Sequence, residues 1–353
     1  MMKIWIIAAL SLMILPVYAQ QSRKVYFNNN DTIRFGATYT IPAGKSSYPA
    51  IILVSGTGKQ DRDGTMAGHK MFKYLADSLS AAGFAVLRMD DRGVGETNGI
   101  YELATTEDFA NDALAALGYL QRQPGVSKVG LLGHSEGGAA VMIAAAKDDR
   151  VAFVITLAGL ATPGLEALRL QNKAIIDAAP ISDYDKNRHW TINSMMFDTV
   201  YHYAGKPGLE QKLRDTYAQW KHKDDSAFAK DRPGEHDHMR FFIESYARQA
   251  TGAWYQFHIK FDPARYLHEI KVPFFAMNGD KDIMVPAHPN LDNIREMLNE
   301  GGNYQVKTVL VPSMNHLMLH CDTCTNAELT KLHGDFDLAA WRSLKEWLVT
   351  HIL

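Results

Sequence analysis

Short, uninterrupted apolar runs recur along the chain, separated by longer stretches with apolar positions at helical spacing. The runs AIILVS (50–55), FAVLRM (84–89), VGLL (129–132), VAFVITL (151–157) and VPFFAMNG (272–279) are each bounded by glycine, proline or polar residues. Continuous apolar runs of this length predict strands buried on both faces, as in a parallel sheet. A strand over 34–42 ending at a proline turn and another over 305–311 extend the set. Helices are predicted over 69–82, 106–121, from about 136 to 147, 290–299 and 334–351, with Thr105, Thr106 and Asp108 as capping candidates for the second. Strands alternating with helices predict an α/β fold: a mostly parallel central sheet with helices on both faces.

Between residues 163 and 262 the rhythm changes. Short buried runs give way to helices rich in aromatics and charge, and the strand–helix rhythm resumes at Val272. The expected organisation is therefore one core, residues 20–162 and 263–353, interrupted by a helical cap over 163–262. The cap's aromatics include Trp190, Phe197, Tyr217, Trp220, Phe241, Tyr246, Trp254 and Tyr255; most of the set is expected to form the cap's own core and a few of its members to line an apolar pocket.

The stretch GHSEGG (133–138) stands where a buried strand run meets a helical run. Strand, Gly-x-Ser-x-Gly, helix is the context of a nucleophile elbow, in which a sharp turn lifts a serine hydroxyl above the sheet edge. Gly133 and Gly137 flank Ser135 at the positions where a side chain would collide with the crossing strand and helix. A serine hydroxyl needs a base, and the base an orienting acid. In this chain order the acid and then the histidine follow at the ends of later strands. Asp282, in MNGDKD after the run at 272–279, is the acid, with Asp280 as runner-up. His316, the first histidine after the last predicted strand, is the base, and His320 is the alternative. The backbone N–H groups of Thr57 and Glu136 are the expected oxyanion donors, with Gly58 as the alternative to Thr57. Losing one such donor typically slows turnover by about 100- to 1,000-fold.

Composition narrows the setting. The chain has 353 residues, 46% hydrophobic, and a formal net charge of -2. No long Lys/Arg run is present, so nucleic acid is not an expected partner. MMKIWIIAALSLMILPVYAQ opens with a lysine, an apolar stretch and a small-residue cleavage pattern, so residues 1–19 are expected to be an export signal. The mature protein is then periplasmic or extracellular, without stable membrane insertion. The two cysteines, Cys321 and Cys324, share one short stretch. In an oxidising compartment they are expected to form a disulfide or remain plain thiols, in preference to a metal site with His316 and His320. Glu235-His236-Asp237-His238 invites a metal only weakly, and none is expected.

These motifs resemble the α/β-hydrolase superfamily, and more narrowly its secreted bacterial serine esterases with a GHSEGG elbow. The resemblance is carried by SGTGKQDRD (55–63), DDRGVG (90–95), GHSEGG, MNGDKD (277–282) and Asn315-His316, with methionine in place of leucine at Met277. It implies hydrolysis of carboxyl esters with no cofactor, on a small-molecule or carbohydrate-linked ester. Arg62, Asp63, Asp91 and Arg92 have the chemistry to grip a charged substrate, but the resemblance favours a buried ion-pair network among them that holds the oxyanion loop against the next strand loop. Three other activities compete: a serine aminopeptidase, in which Glu235 or Glu244 would bind a free amino terminus; an acyl-CoA thioesterase; and a non-catalytic hydrolase-like binding protein. The missing-member pattern of the last is absent, since all three triad residues are in place.

Overall fold

A computed structural model describes residues 20–353 apart from residues 31 and 325, and apart from the side chains of 326 and 327. The expected export signal, residues 1–19, lies outside the described residues. In chain order the elements are β1 (Gln21–Asn28), β2 (Arg34–Ile41), β3 (Tyr48–Val54), the two-residue strands β4 (Thr65–Met66) and β5 (His69–Lys70), α1 (Met71–Ala81) and β6 (Ala85–Met89). A 3-10 turn at Tyr101–Leu103 leads to α2 (Thr106–Gln121), β7 (Val126–His134), α3 (Glu136–Lys147) and β8 (Val151–Leu157). Five helices follow: α4 (Gly164–Ala178), α5 (Asp183–Tyr203), α6 (Leu209–Asp231), α7 (Ile243–Ala250) and α8 (Ala253–Lys260). The chain closes with α9 (Ala264–Leu267), β9 (Phe274–Gly279), α10 (Ala287–Glu300), β10 (Val306–Val311), α11 (Asn326–Leu329) and α12 (Leu338–His351).

The main sheet has eight strands in the order β1-β2-β6-β3-β7-β8-β9-β10. From β6 to β10 neighbouring strands are parallel, and β1 and β2 form an antiparallel edge. All seven residues of β3 and all six of β9 are buried, as continuous apolar runs require when helices cover both faces. One apolar cluster lies under α2, α3 and α10, joining Ala113, Leu117, Val141 and Ile294 to Ile52 and Val154. The other lies under α1 and α12, joining Leu75, Leu79, Leu344 and Trp347 to Ile51 and Phe275. Helix α2 begins at a capping box: Thr105 accepts from the Asp108 amide while the Asp108 carboxylate accepts from the Thr105 amide.

Helices α4 to α8 pack a third cluster of their own, built on Ile192, Met196, Phe197, Leu213, Trp220 and Tyr255. Most aromatics of this segment are spent there, although Phe242 is 75% exposed. Strand β1 departs from the sequence reading, which begins the sheet at β2. The predicted helix at 69–82 starts two residues later, because His69 and Lys70 pair with Met66 and Thr65 first. The last helix starts at Leu338, where the Asp337 side chain caps the Ala339 and Ala340 amides. Among the described residues no helix is long and apolar enough to cross a membrane.

Candidate active site

Parallel strands that share a direction bring their carboxyl ends to one rim, and loops leaving that rim meet even when far apart in sequence. Ser135 leaves β7, the loop 55–60 leaves β3, Asp282 follows β9 and His316 follows β10. Ser135 occupies φ 57, ψ -122, a conformation held by its N–H donating to the Leu157 carbonyl at 3.0 Å and its carbonyl accepting from Gly138 at 2.9 Å. The crossing leaves no room for side chains: a Cβ on Gly133 would strike the Gly137 carbonyl, and one on Gly137 would strike those of Val54 and Ser55.

His316 Nε2 lies 3.0 Å from Ser135 Oγ, and His316 Nδ1 lies 2.8 Å from Asp282 Oδ2. The other carboxylate oxygen of Asp282 accepts from the amides of Met284 and Val285 at 2.8 and 2.9 Å, which fixes its plane. Asp282 is buried, so its charge is directed at the imidazole rather than at solvent. The runner-up, Asp280, instead lies by Lys281 at 4.0 Å, and His320 is exposed in a bridge to Met314. The His316 loop is braced by Asn315, whose Oδ1 accepts from the amides of Leu317 and Leu319 at 3.0 and 3.2 Å.

The loop after β3 packs on the serine so closely that a Cβ on Gly56 would lie 2.8 Å from Ser135 Cβ. Among the described residues neither the Thr57 nor the Glu136 backbone N–H donates to a protein acceptor. The alternative donor is engaged elsewhere: the Gly58 N–H donates to the Tyr101 hydroxyl at 2.7 Å. Two undirected amides beside a hydrogen-bonded serine, histidine and aspartate have the chemistry to stabilise an oxyanion while the serine attacks a carbonyl.

The family model described as the alpha/beta hydrolase fold matches residues 49–320. The chain belongs to the α/β-hydrolase family. Esterase EstD of Thermotoga maritima is 26% identical over 311 residues, covering 88% of this chain and 64% of that protein. The chain thus spans less than two thirds of that relative's length. An uncharacterized 31.7 kDa protein of Escherichia coli is 28% identical over 123 residues, 34% of this chain and 40% of that one. Among solved structures, Est1E of Butyrivibrio proteoclasticus with ferulic acid bound is 18% identical, with a TM-score of 0.52 over 93% of this chain and 99% of that one. The Pyrococcus furiosus esterase Pf2001 is 13% identical, with a TM-score of 0.55 over 95% and 94% of the two chains. At those identities the structures speak for the fold.

In this α/β hydrolase the charged residues beside the loop after β3 pair differently from the expectation. Arg62 binds Asp90 through Nε at 3.0 Å and also Glu96 at 2.8 Å; Asp63 pairs with Arg88; Arg92 grips Asp112 of α2 at 2.7 and 2.8 Å. Arg62, Asp63, Asp91 and Arg92 therefore do not pair with one another. Asp91 is the member that holds the loop, accepting from the Ser55 hydroxyl and from the Gln60 amide at 2.8 Å. Burial pushes its carboxyl up to about 7, against those hydrogen bonds and with the help of the nearby Glu136 and Asp90 charges. Cys321 and Cys324 are joined as a disulfide, which removes them from any metal set, and His316 is committed to Ser135 and Asp282. Asp237 of the histidine-rich stretch pairs with Arg188 at 2.7 Å.

Two side chains carry roles that the motif reading did not assign. His134 is buried, and its Nε2 lies 2.9 Å from the His316 carbonyl oxygen. Burial, with the neighbouring His316, holds its imidazole down at about 3, so it is neutral and donates that hydrogen bond. Glu136, expected only for its amide, is 2% exposed and its carboxylate collects three hydrogen bonds.

Proposed function

We propose that this protein is an exported serine carboxylesterase that hydrolyses short acyl esters, acetyl groups on carbohydrate included, through an acyl-enzyme on Ser135. The observation that carries the reading is the position of the His316 ring, 3.0 Å from Ser135 Oγ on one side and 2.8 Å from Asp282 on the other. In the proposed sequence Ser135 attacks the ester carbonyl while His316 Nε2 takes its proton. Asp282 stabilises the imidazolium through Nδ1–H, and the amides of Thr57 and Glu136 receive the oxyanion. His316 then protonates the leaving alcohol, and water repeats the cycle on the acyl-enzyme to release the acid. The relative named an esterase supports ester hydrolysis, and the residues at 1–19 support export. An aminopeptidase reading finds less support. Glu235 lies 3.5 Å from Arg232, and Glu244 receives Arg214 at 2.8 Å, so both carboxylates already face arginines on an exposed surface.

A substrate panel tests the reading. Purified protein is assayed with p-nitrophenyl esters of increasing acyl length, acetylated carbohydrate, an acyl-CoA and aminoacyl anilides. Fastest turnover is expected on the short esters, abolished by Ser135→Ala with the fold intact. Turnover confined to the anilides or to acyl-CoA, or retained by the Ser135→Ala variant, overturns it.

A further inference from the structure

Glu136 sits where three separate parts of the molecule meet. Its Oε2 accepts from Thr57 Oγ1 at 2.7 Å, on the loop after β3. Its Oε1 accepts from Thr106 Oγ1 at 2.7 Å, in the first turn of α2, and from Trp254 Nε1 at 2.6 Å, in α8 of the inserted helices. The carboxylate is buried, and a buried charge must collect hydrogen bonds to be tolerated. Here it collects three, in addition to its place in the first turn of α3, where the helix dipole favours an anion. The Trp254 ring stacks on His258, with centroids 4.8 Å apart and 21° between planes. Burial lowers the His258 pKa, against the pull of the nearby Glu136.

The same residue thus appears twice in the oxyanion pocket. Its backbone offers one donor, and its side chain grips the residue that offers the other. Thr57 is exposed, and Glu136 Oε2 is the partner of its hydroxyl. Because Trp254 donates to the same carboxylate, the indole's position decides how one lone pair of Glu136 is satisfied. Charge-assisted bonds to one carboxylate polarise one another, so loss of one donor is felt by the others.

We propose that the Glu136 carboxylate is a positioning group that sets the Thr57 amide and, through Trp254, makes the geometry of the oxyanion pocket depend on the seating of the inserted helices. The proposal rests on the esterase reading for its kinetic test and not for its second test. Substrate contacts that move α8 would then be transmitted to the reacting carbonyl without any contact from α8 to that carbonyl.

The experiment is a double-mutant cycle on the full chain with p-nitrophenyl acetate. Thr57→Val removes the hydroxyl and keeps the shape; Trp254→Phe removes the indole N–H and keeps a ring. Thr57→Val is expected to lower kcat about tenfold or more, and Trp254→Phe about three- to tenfold, both with KM nearly unchanged. The double variant is expected to be no slower than Thr57→Val alone, because both act through one carboxylate. In parallel, amide hydrogen exchange over residues 54–62 is expected to speed up in Trp254→Phe, although residue 254 lies on another part of the chain. Multiplicative kinetic effects, or unchanged exchange in 54–62, overturn the proposal. Wild-type protein without ester turnover sinks the esterase reading instead, and the exchange measurement then decides the coupling by itself.

Discussion

The His134 ring lies 4.9 Å from the His316 ring, tilted by 45°, and donates from Nε2 to the carbonyl of His316 itself. The residue before Ser135 therefore holds the backbone of His316, the proposed base. Since His134 is neutral, it does this without placing a second positive charge beside the imidazolium of the proposed reaction. His134→Ala is expected to lower kcat about tenfold or more by loosening that loop. His134→Gln, whose side-chain amide also donates, is expected to recover part of the loss. Equal activity in both variants would show that the hydrogen bond has no positioning effect.

The same residue leaves a mark on stability. An unfolded histidine titrates near 6.5, whereas His134 in the fold stays neutral down to about pH 3. Between those values the unfolded chain binds the extra proton, so stability rises with pH there. This contribution is complete above about pH 6.5 and is lost as pH falls toward 3. Melting temperatures from pH 7 to pH 4 should therefore fall more steeply in the wild type than in His134→Gln. Parallel curves would refute the buried, neutral state.

Asp91 predicts the opposite slope. Burial raises its carboxyl to about 7 from an ordinary 3.8, so the folded protein binds the extra proton between those values. Stability from this group is present below pH 3.8 and is lost as pH rises through 7. Asp91→Asn removes the titration; because Ser55 and the Gln60 amide bond to different carboxylate oxygens, the asparagine oxygen keeps the bond from the Gln60 amide while its NH2 group donates to the Ser55 hydroxyl oxygen. Its melting temperature relative to wild type is expected to climb as pH goes from 4 to 8, a trend that a constant offset between the two proteins would contradict.

How much of this was legible beforehand depended on whether position alone determines a role. Ser135, Asp282 and His316 each follow a strong strand signal, and parallel strands carry their ends to one rim, so their meeting is readable without coordinates. Strand β1 was not legible because, of QSRKVYFN, only Val25 and Phe27 are buried; the rest face solvent, and the strand is completed by pairing with β2. The ion pairs escape a motif reading for a related reason. Arg92 turns to Asp112 on a helix and Arg62 to Asp90, choices set by packing distance and not by motif adjacency. The Glu136 side chain was illegible for the same cause: Trp254 reaches it from 118 positions away.

The disulfide closes a loop with a sequence separation of only 3, directly after the His316 loop. So short a loop constrains the unfolded chain weakly, and its loss is expected to cost about 2 kcal/mol or less. The bonds from Asn315 to Leu317 and Leu319 brace His316 without it. The Cys321→Ser, Cys324→Ser double variant should therefore melt slightly earlier than wild type yet keep kcat within about twofold on p-nitrophenyl acetate. A loss of tenfold or more would assign the bracing of His316 to the disulfide instead of Asn315.

Ser135 holds φ 57 and ψ -122, where an L side chain is strained and glycine is not. The proposed chemistry requires a Cβ there, because the hydroxyl has to project toward His316, and the strain is maintained by the packing around it: the Leu157 carbonyl, the Gly138 and Leu160 amides and the absence of side chains at Gly133 and Gly137. Ser135→Ala and Ser135→Gly both delete the hydroxyl and its bond to His316, and both should lack turnover. Alanine keeps the Cβ and with it the strain, while glycine relieves the strain but gains backbone freedom in the unfolded chain, which offsets part of the relief. In urea unfolding Ser135→Gly is therefore expected to be more stable than Ser135→Ala by about 1–3 kcal/mol. Were alanine the more stable of the two, the turn would be an ordinary one, and a conformation strained to present a nucleophile would have to be abandoned as the account of residue 135.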